Sequence, residues 1–158
     1  MSLMDDMGLP LRESLPLLVD KLIEHGLRDR VKVFSSGKLV TPAHVAWALC
    51  LGADFCVTAR GFMFALGCIQ ALQCNKNTCP TGITTHNKKM QVGLVVAEKA
   101  DRVANYAKNM MYEVGVIGHS CGVKEPREFR RFHARIVSQN GLSIPLDELH
   151  PIPVVSKQ

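Results

Sequence analysis

The sequence predicts an α/β fold built on parallel strands, followed by a cysteine-containing loop and then by further helices. Three observations predict it. Helix and strand patterns alternate over residues 14–58 with short loops between them, which is typical of a parallel sheet. Both strands are mostly apolar, as expected when helices cover a sheet. Helical periodicity then returns over residues 95–119, after the cysteines.

The first predicted pair of elements is a helix followed by a strand. Residues 4–13 contain glycine and proline and are expected to form a loop. Ser14 is a suitable N-cap, Pro16 is tolerated in a first helical turn, and Gly26 is expected to end the helix in a left-handed conformation. The β-branched residues at 31–34 predict a strand, which the polar residues 35–38 end.

The second pair repeats this order. Thr41 is expected to cap a helix that has Pro42 at its first position, and Gly52 is expected to end it. Residues 55–58 predict the second strand, which residues 59–61 end. Because the crossover between two such strands is almost always right-handed, the pattern predicts one βα unit of a larger parallel sheet.

The carboxyl-terminal half is expected to be mainly helical. Residues 88–91 form a polar exit from the cysteine loop, and a long helix follows over residues 95–119. Its apolar side chains share one stripe that predicts a core-facing surface, namely Val103, Ala107, Met110, Val114 and Ile117. A short basic helix is predicted at residues 127–136, with its arginines on a solvated face, and a partly extended tail beyond residue 137.

The composition limits the classes of function. A chain of 158 residues that is 47% hydrophobic suits one ordinary globular domain. The net charge of +5 suits an anionic cofactor, but a single tryptophan and the lack of aromatics within basic stretches argue against nucleic-acid binding. No apolar run is long enough to predict a membrane span.

The cysteine content indicates a reducing compartment. The chain has six cysteines and no pattern of a secretory signal, so we expect a cytoplasmic protein without a disulfide framework. Cys50, Cys56 and Cys121 lie in apolar or helical surroundings and are expected to pack in the core.

The other three cysteines form the most informative cluster of the sequence. Cys68, Cys74 and Cys79 have a C-x5-C-x4-C spacing, and Pro80 follows directly. Several thiolates can converge on one centre when they lie on a loop, and the asparagines, proline and glycine of this segment favour a loop. Three ligands suit a [3Fe-4S] cluster, since a four-iron cluster usually has four. Zinc with His86 as a fourth ligand, and three buried free thiols without any metal, are the alternatives.

A second candidate site lies where the two predicted strands end. Ser36, Gly37 and Lys38 follow the first strand, and Ala59, Arg60 and Gly61 follow the second. Loops after parallel strands meet at the carboxyl edge of a sheet, where ligands bind. Glycine lets the backbone approach an anion, and an arginine offers bidentate contacts to phosphate oxygens. Two ordinary βα turns would have the same residues, so the pattern alone leaves both interpretations open.

The two sites together resemble the carboxyl-terminal part of the FMN-binding domain of glutamate synthase. The resemblance covers V-K-V-F-S-S-G-K-L-V-T-P and the pattern L-G-C-x5-C-x2-N-x-C-P-x-G, and it is strongest over residues 8–85. It implies a (β/α)8 TIM-type barrel that binds FMN and a [3Fe-4S] cluster. It also implies that Cys68, Cys74 and Cys79 hold the cluster and that both glycine-containing loops contact FMN. The loops depart from the family pattern: D-G-G and G-T-A are usual, whereas related 2-hydroxyacid oxidases place G-R in the second.

The resemblance also implies what this chain contributes. A complete barrel needs about 250 residues, so residues 1–85 are expected to form only its last βα units and cysteine loop, with residues 86–158 as a helical extension. No glutaminase segment is recognisable. The unpaired strands predict a homo-oligomer or a second chain that completes the barrel, and an electron-donor subunit or a ferredoxin is an implied partner.

The implied reaction is the reduction of 2-iminoglutarate, formed from 2-oxoglutarate and ammonia, to L-glutamate. The isolated chain is expected to be inactive because most of the barrel is missing, and no general acid or base is recognisable in it. His86 and His119 are expected to be surface or helix-terminal residues. The rival hypothesis is a non-catalytic metal-binding or interaction module that uses the same three cysteines.

Overall fold

The computed structural model describes residues 7–155. Its strands are short, namely β1 (Phe34–Ser36), β2 (Phe55–Val57), β3 (Arg135–Val137) and β4 (Ser143–Pro145). Its helices are α1 (Leu11–Glu24), α2 (Pro42–Cys50), α3 (Ala59–Leu66), α4 (Lys88–Gln91), α5 (Val96–Ser120) and α6 (Leu146–Leu149). In this part of the chain, no helix is both long and apolar enough to cross a lipid bilayer.

Strands β1 and β2 pair in parallel, which confirms the predicted α/β alternation. Phe34 lies opposite Phe55, and Ser36 lies opposite Val57. Helix α2 connects the two strands, so the unit is a βαβ crossover. Strands β3 and β4 form a separate antiparallel pair near the carboxyl terminus. The described residues form no closed barrel, and the barrel implied by the resemblance stays a prediction.

The first strand begins three residues later than predicted, because the Asp54 side chain binds the backbone just before it. The Val33 N–H donates to the Asp54 carboxylate at 2.7 Å. The Val33 carbonyl accepts from the N–H groups of Asp54 and Phe55 at 2.9 and 3.1 Å. Regular pairing therefore begins only at Phe34, and Ser35 and Ser36, predicted to follow the strand, are its last two residues.

The beginning of helix α1 also differs from the prediction. The helix begins at Leu11, its N-cap is Pro10 without a side-chain hydrogen bond, and Ser14 is an interior residue. Pro16 therefore lies inside the helix and is buried there. The predicted loop is confirmed for residues 7–10 but not for 11–13, and residues 4–6 lie outside the described part. Gly26 ends this segment with a φ of 65°, as predicted.

Helices α2 and α5 lie where the sequence predicts them. The Thr41 hydroxyl accepts a hydrogen bond from the His44 N–H at 3.4 Å, and Pro42 is the first helical residue. The predicted stripe of α5 faces the core, with Met110 and Val114 buried. Residues from α1, α2, α5 and the carboxyl-terminal segment share one core, whose members include Leu15, Val19, Ala48, Leu51, Met110, Phe129 and Leu146. The division at residue 85 stays a prediction.

The basic helix predicted at residues 127–136 is wrong. The segment forms two short 3-10 turns, Pro126–Glu128 and Arg131–His133, followed by strand β3. Arg131 is buried rather than solvated because it forms an ion pair with Asp20 of α1. Its Nη1 also donates to the carbonyls of His150 and Pro151 at 2.6 and 3.2 Å. This arrangement, which we term the Arg131 clasp, fastens the carboxyl-terminal segment to α1.

The lowered pKa of Asp54 makes the stability of the fold depend on pH. Burial raises the pKa of its carboxyl, but the Val33 N–H, Arg28 and Lys32 lower it further, so its pKa lies below the ordinary value. The carboxylate therefore stabilises the fold above the unfolded-state pKa of about 3.9, and this contribution is lost as the pH falls through the folded-state pKa.

We expect Asp54→Asn to lower the free energy of unfolding by about 1–2 kcal/mol at pH 7, since the charged partner of Arg28 is lost. The difference from wild type should shrink below pH 4. Urea unfolding at several pH values measures it. Asp101→Asn removes an exposed carboxylate of α5 and should have little effect; a constant difference at all pH values would contradict the assignment.

Candidate functional site

The three predicted cluster ligands lie around one small space after helix α3. Gly67 ends α3 with a φ of 101°, and the Cys68 N–H donates to the Met63 carbonyl at 2.9 Å. Cys68, Cys74 and Cys79 all line the same cavity of about 20 Å³. Cys74 is exposed, Cys68 is partly buried and Cys79 is buried. The structure thus brings together the three side chains that the sequence singles out.

Asn77 holds the cysteine loop closed from within. Its backbone is left-handed, with a φ of 59°, which asparagine tolerates better than most residues. The Asn77 carbonyl accepts a hydrogen bond from the Thr85 hydroxyl at 2.7 Å, and its side-chain oxygen accepts one from the His86 N–H at 2.6 Å. Thr85 and His86, at the end of the loop, are therefore hydrogen-bonded to Asn77 in its middle.

Neighbouring threonines lower the pKa of the Cys79 thiol. The Thr81 side chain, followed by the nearby backbone and hydroxyl of Thr84, lowers the pKa of Cys79 to about 6. The Thr81 hydroxyl lies 3.3 Å from the Cys79 sulfur. The thiolate is the form that binds metal. In contrast, burial and the neighbouring Cys121 raise the pKa of Cys50 to about 12, as expected for a core thiol.

The loop also has a spare hydrogen-bond donor. The buried Thr84 hydroxyl lies close enough to Cys79 to contribute to its pKa, but it forms no hydrogen bond of regular length within residues 7–155. Buried hydroxyls normally have partners, and Thr84 lines the same cavity as the cysteines. A sulfide or thiolate of a cluster would accept this hydrogen bond, so the donor set fits an iron–sulfur group.

A compact single-ion site is absent from the described residues. No three histidine, cysteine or acidic side chains in residues 7–155 are close enough to hold one metal ion. His86, considered as a fourth zinc ligand, has an exposed side chain, and its backbone binds Asn77. His119 is exposed near the end of α5. Cluster ligation by the three cysteines stays a prediction.

The two predicted phosphate loops lie at the same edge of the β1–β2 sheet. Because Ser36 pairs with Val57, the segments that follow them leave the sheet side by side. Ala59, Arg60 and Gly61, expected to form a loop after the second strand, are instead the first turn of α3. The Thr58 side chain at the N-cap accepts no hydrogen bond from the first turn of α3. Free N–H groups at the start of a helix favour anions.

A cavity opens beside the first of these loops. It has a volume of about 460 Å³, and its lining includes Ser36, Gly37 and Lys38. The residues at the start of α3 do not line it. Arg12 lies over the Trp47 ring at 6.0 Å and forms part of the wall. The side chains present could hold an anion, but the two loops do not share one pocket in the described part of the chain.

Both glycines of these loops are also required by packing. A Cβ atom on Gly37 would lie 2.7 Å from the Leu11 Cβ, and one on Gly61 would lie 1.9 Å from the Tyr106 hydroxyl. That hydroxyl donates to the Val40 carbonyl at 2.8 Å. Tyr106 therefore connects the segment after β1 to the first turn of α3. The sequence pattern did not single out Tyr106, although its spacing of three residues from Val103 places it on the apolar side of α5.

Gly61→Ala should destabilise the protein by about 2 kcal/mol, because the new methyl group has to displace the tyrosine ring. Thermal and urea unfolding measure the change. Gly115→Ala, inside α5 with open space around the new methyl group, is the matched control and should stabilise by about 0.5–1 kcal/mol. Equal effects of the two substitutions would contradict the role of Tyr106.

Comparison with known proteins gives a consistent result. A family model described as a conserved region in glutamate synthase matches residues 1–124. The chain is 42% identical over 147 residues to the glutamate synthase large subunit-like protein YerD of Bacillus subtilis (strain 168). It is 29% identical over 126 residues to the archaeal glutamate synthase (NADPH) of Methanocaldococcus jannaschii, and 34% identical over 117 residues to the glutamate synthase (NADPH) large chain of Bacillus subtilis.

These matches cover most of this chain but little of the relatives. They include 93%, 80% and 74% of the chain, respectively. The chain spans only 28%, 25% and 8% of the length of those relatives. It therefore corresponds to one part of a larger type of protein.

Proposed function

Since this chain belongs to the glutamate synthase family, we propose that it forms the cofactor-binding end of a glutamate synthase-type oxidoreductase. The whole enzyme would reduce 2-iminoglutarate, from 2-oxoglutarate and ammonia, to L-glutamate. The observation that carries the proposal is the convergence of Cys68, Cys74 and Cys79 on one cavity directly after a βαβ unit. We do not expect the isolated chain to catalyse the reaction.

The cysteine loop would hold a [3Fe-4S] cluster. Three thiolates match the ligand number of such a cluster, Cys79 is activated as a thiolate, and Thr84 has a donor to spare. Cys74 is exposed, so one corner of the group would face solvent or a partner. Hydrogen bonds from hydroxyls to cluster sulfurs raise a reduction potential, which gives Thr81 and Thr84 a tuning role.

The edge formed by the two loops would hold the phosphate of FMN. Ser36, Gly37 and Lys38 would supply backbone and side-chain donors from the first loop. The second loop would supply the N–H groups at the start of α3, from Ala59, Arg60 and Gly61. It would also supply the guanidinium of Arg60, which is exposed and available to a ligand. When bound, reduced FMN would supply the hydride for the imine carbon, and the cluster would supply the electrons that reduce the oxidised flavin again.

Completion of the sheet is the third part of the proposal. Phe34 and Phe55 stack at 4.6 Å on one face of the β1–β2 pair, and that face is exposed, with Phe34 66% accessible. Each of the two strands pairs on one side only among residues 7–155. Exposed apolar faces and free strand edges promote association. We propose that further barrel strands, or a second copy of this chain, cover them.

The test is the visible absorption spectrum of the chain purified without oxygen, together with its iron, sulfide and FMN content. We expect broad iron–sulfur absorbance with iron and sulfide in the ratio of the cluster's formula. Cys74→Ser should abolish it, because an exposed ligand is lost without a change in the core. Cys121→Ser, outside the loop, should leave it unchanged.

The other outcomes separate the parts of the proposal. Absorbance without flavin would support the cluster and leave FMN binding dependent on the missing barrel strands. A colourless protein that contains zinc would favour the non-catalytic metal-binding module. Gel filtration tests whether other strands complete the β1–β2 sheet. A well-folded monomer would contradict association through the exposed strands.

A further inference from the structure

A second basic cavity lies at the end of the sheet opposite the predicted cofactor loops. It has a volume of about 260 Å³ and lies beside the amino-terminal ends of β1 and β2. Four cationic side chains contribute to its wall, namely Arg28, Lys32, Arg127 and Arg130. The only acid among its lining residues is Asp54. The family resemblance and the cluster chemistry give no role to this cavity.

The charge of Asp54 is already neutralised. Its carboxylate accepts from Arg28 at 2.9 Å and from the Val33 N–H at 2.7 Å. Arg28 in turn donates to the carbonyls of Gly52 and Val31 at 2.8 and 3.0 Å, so this pair is fixed as part of the fold. The positive charge that remains around the cavity therefore comes from Lys32, Arg127 and Arg130.

Arg127 and Arg130 reach the cavity from the carboxyl-terminal segment. Among residues 7–155, neither Arg127 nor Arg130 forms an ion pair with a carboxylate. Lys32 reaches Asp54 only at 3.6 Å and is 65% exposed. Three cations around one small cavity repel each other unless an anion lies between them. The missing counter-charge is the first observation that indicates a ligand.

The arginines are also held in place before any ligand arrives. Nη1 of Arg130 donates to the carbonyls of Arg127 and Phe129 at 3.1 and 2.8 Å. The Arg127 guanidinium lies 5.9 Å from the centre of the Phe55 ring. Phe129, between the two, is 3% exposed and anchors the segment in the core. Because these side chains are already ordered, binding would cost less conformational entropy.

We propose that this cavity binds a small multivalent oxyanion, of the polyphosphate or polycarboxylate class. Guanidinium groups bind such oxygens in a bidentate manner, and their weak hydration favours the contact. The cavity volume admits an anion of about the size of pyrophosphate or citrate. The site differs from the predicted FMN loops, which lie at the carboxyl ends of the strands, so it stands independently of the proposed function.

The test measures binding of two probes, pyrophosphate and citrate, to the 158-residue chain by calorimetry and thermal unfolding. We expect saturable binding of at least one probe and a thermal midpoint that rises with its concentration. Arg127→Gln combined with Arg130→Gln should weaken binding by about tenfold or more. Lys88→Gln combined with Lys108→Gln removes the same charge elsewhere and should leave the affinity unchanged.

The pattern across the probes and variants decides the proposal. Tighter binding of pyrophosphate would assign a phosphate ligand, and tighter binding of citrate would assign a carboxylate ligand. If neither probe binds saturably, or if both double variants lose affinity equally, the cavity is not a specific site and the proposal is wrong. Lys32→Gln, at an exposed position, gives a second variant should the arginine variant fold poorly, and it should weaken binding severalfold.

Discussion

Gly82→Ala should disrupt the cysteine loop at a cost of about 3 kcal/mol and prevent loading of the iron–sulfur cluster that we propose for it. Gly82 has a φ of 78°, which strains any residue with a side chain. A Cβ atom there would also lie 2.3 Å from the Met90 carbonyl oxygen, a backbone atom of α4 that cannot rotate away. The loop would therefore have to separate from α4, and Cys79, whose carbonyl accepts from the Gly82 N–H, would move with it.

The matched control is Gly141→Ala. Gly141 has a similar φ of 81°, but a Cβ atom there meets nothing within 4 Å. It should cost about 1 kcal/mol, the price of a left-handed backbone alone. Urea unfolding, limited proteolysis of residues 68–85 and iron content after anaerobic reconstitution measure the difference. Similar behaviour of the two variants, with the cluster retained in both, would contradict a tight contact between the loop and α4.

Arg131→Met should lower the free energy of unfolding by about 3 kcal/mol, since breaking a buried ion pair leaves the partner charge without compensation. Methionine keeps an apolar side chain of similar length, so the loss is mainly electrostatic. Asp20 would lose its partner, and the carbonyls of His150 and Pro151 would lose their donor. Release of the carboxyl-terminal segment from α1 should make residues beyond 145 sensitive to proteases.

A double-mutant cycle with Asp20→Asn isolates the pair. The double variant should be more stable than the sum of the single changes indicates, by about 1–3 kcal/mol, because the uncompensated carboxylate is removed as well. Lys124→Met, at an exposed position nearby, should change stability by less than about 0.5 kcal/mol. Additive effects of the two clasp substitutions would show that Asp20 and Arg131 do not depend on each other.

Local signals predict part of this fold well. Thr41 and Pro42 determine where α2 begins because a cap and its helix are adjacent in sequence. The periodicity of α5 covers 25 residues, so its core-facing side is recognisable without knowledge of its partners. The parallel pairing of β1 and β2 follows from two apolar strands on either side of one helix.

The errors arise where a distant residue decides the structure. The start of β1 depends on the carboxylate of Asp54, which lies 21 residues from Val33 along the chain. Arg131 was predicted to be solvated, and it is buried because Asp20, 111 positions away, neutralises it. No pattern within ten residues of either position contains this information. Long-range contacts of a carboxylate override local propensity at both positions, and the basic helix predicted at residues 127–136 is not formed.

The candidate site was likewise predictable from the sequence only in part. The spacing of Cys68, Cys74 and Cys79 was sufficient to single out the residues that line the small cavity. The contributions of Thr84 and Tyr106 were not recognisable, since each depends on which atoms the fold places beside it. Gly37 and Gly61 suggested close approach to an anion, and they also have neighbours in the protein itself that exclude a side chain.

The Arg131 clasp also affects how the chain folds while it is being synthesised. A chain leaves the ribosome from its amino terminus, so the β1–α2–β2 unit can form as soon as residue 57 has emerged. Helix α1 emerges earlier still, but Asp20 meets its partner only after residue 131, and the carbonyls of His150 and Pro151 complete the contact later. Asp20 of α1 therefore has no partner in the clasp until 111 more residues have been added to the chain.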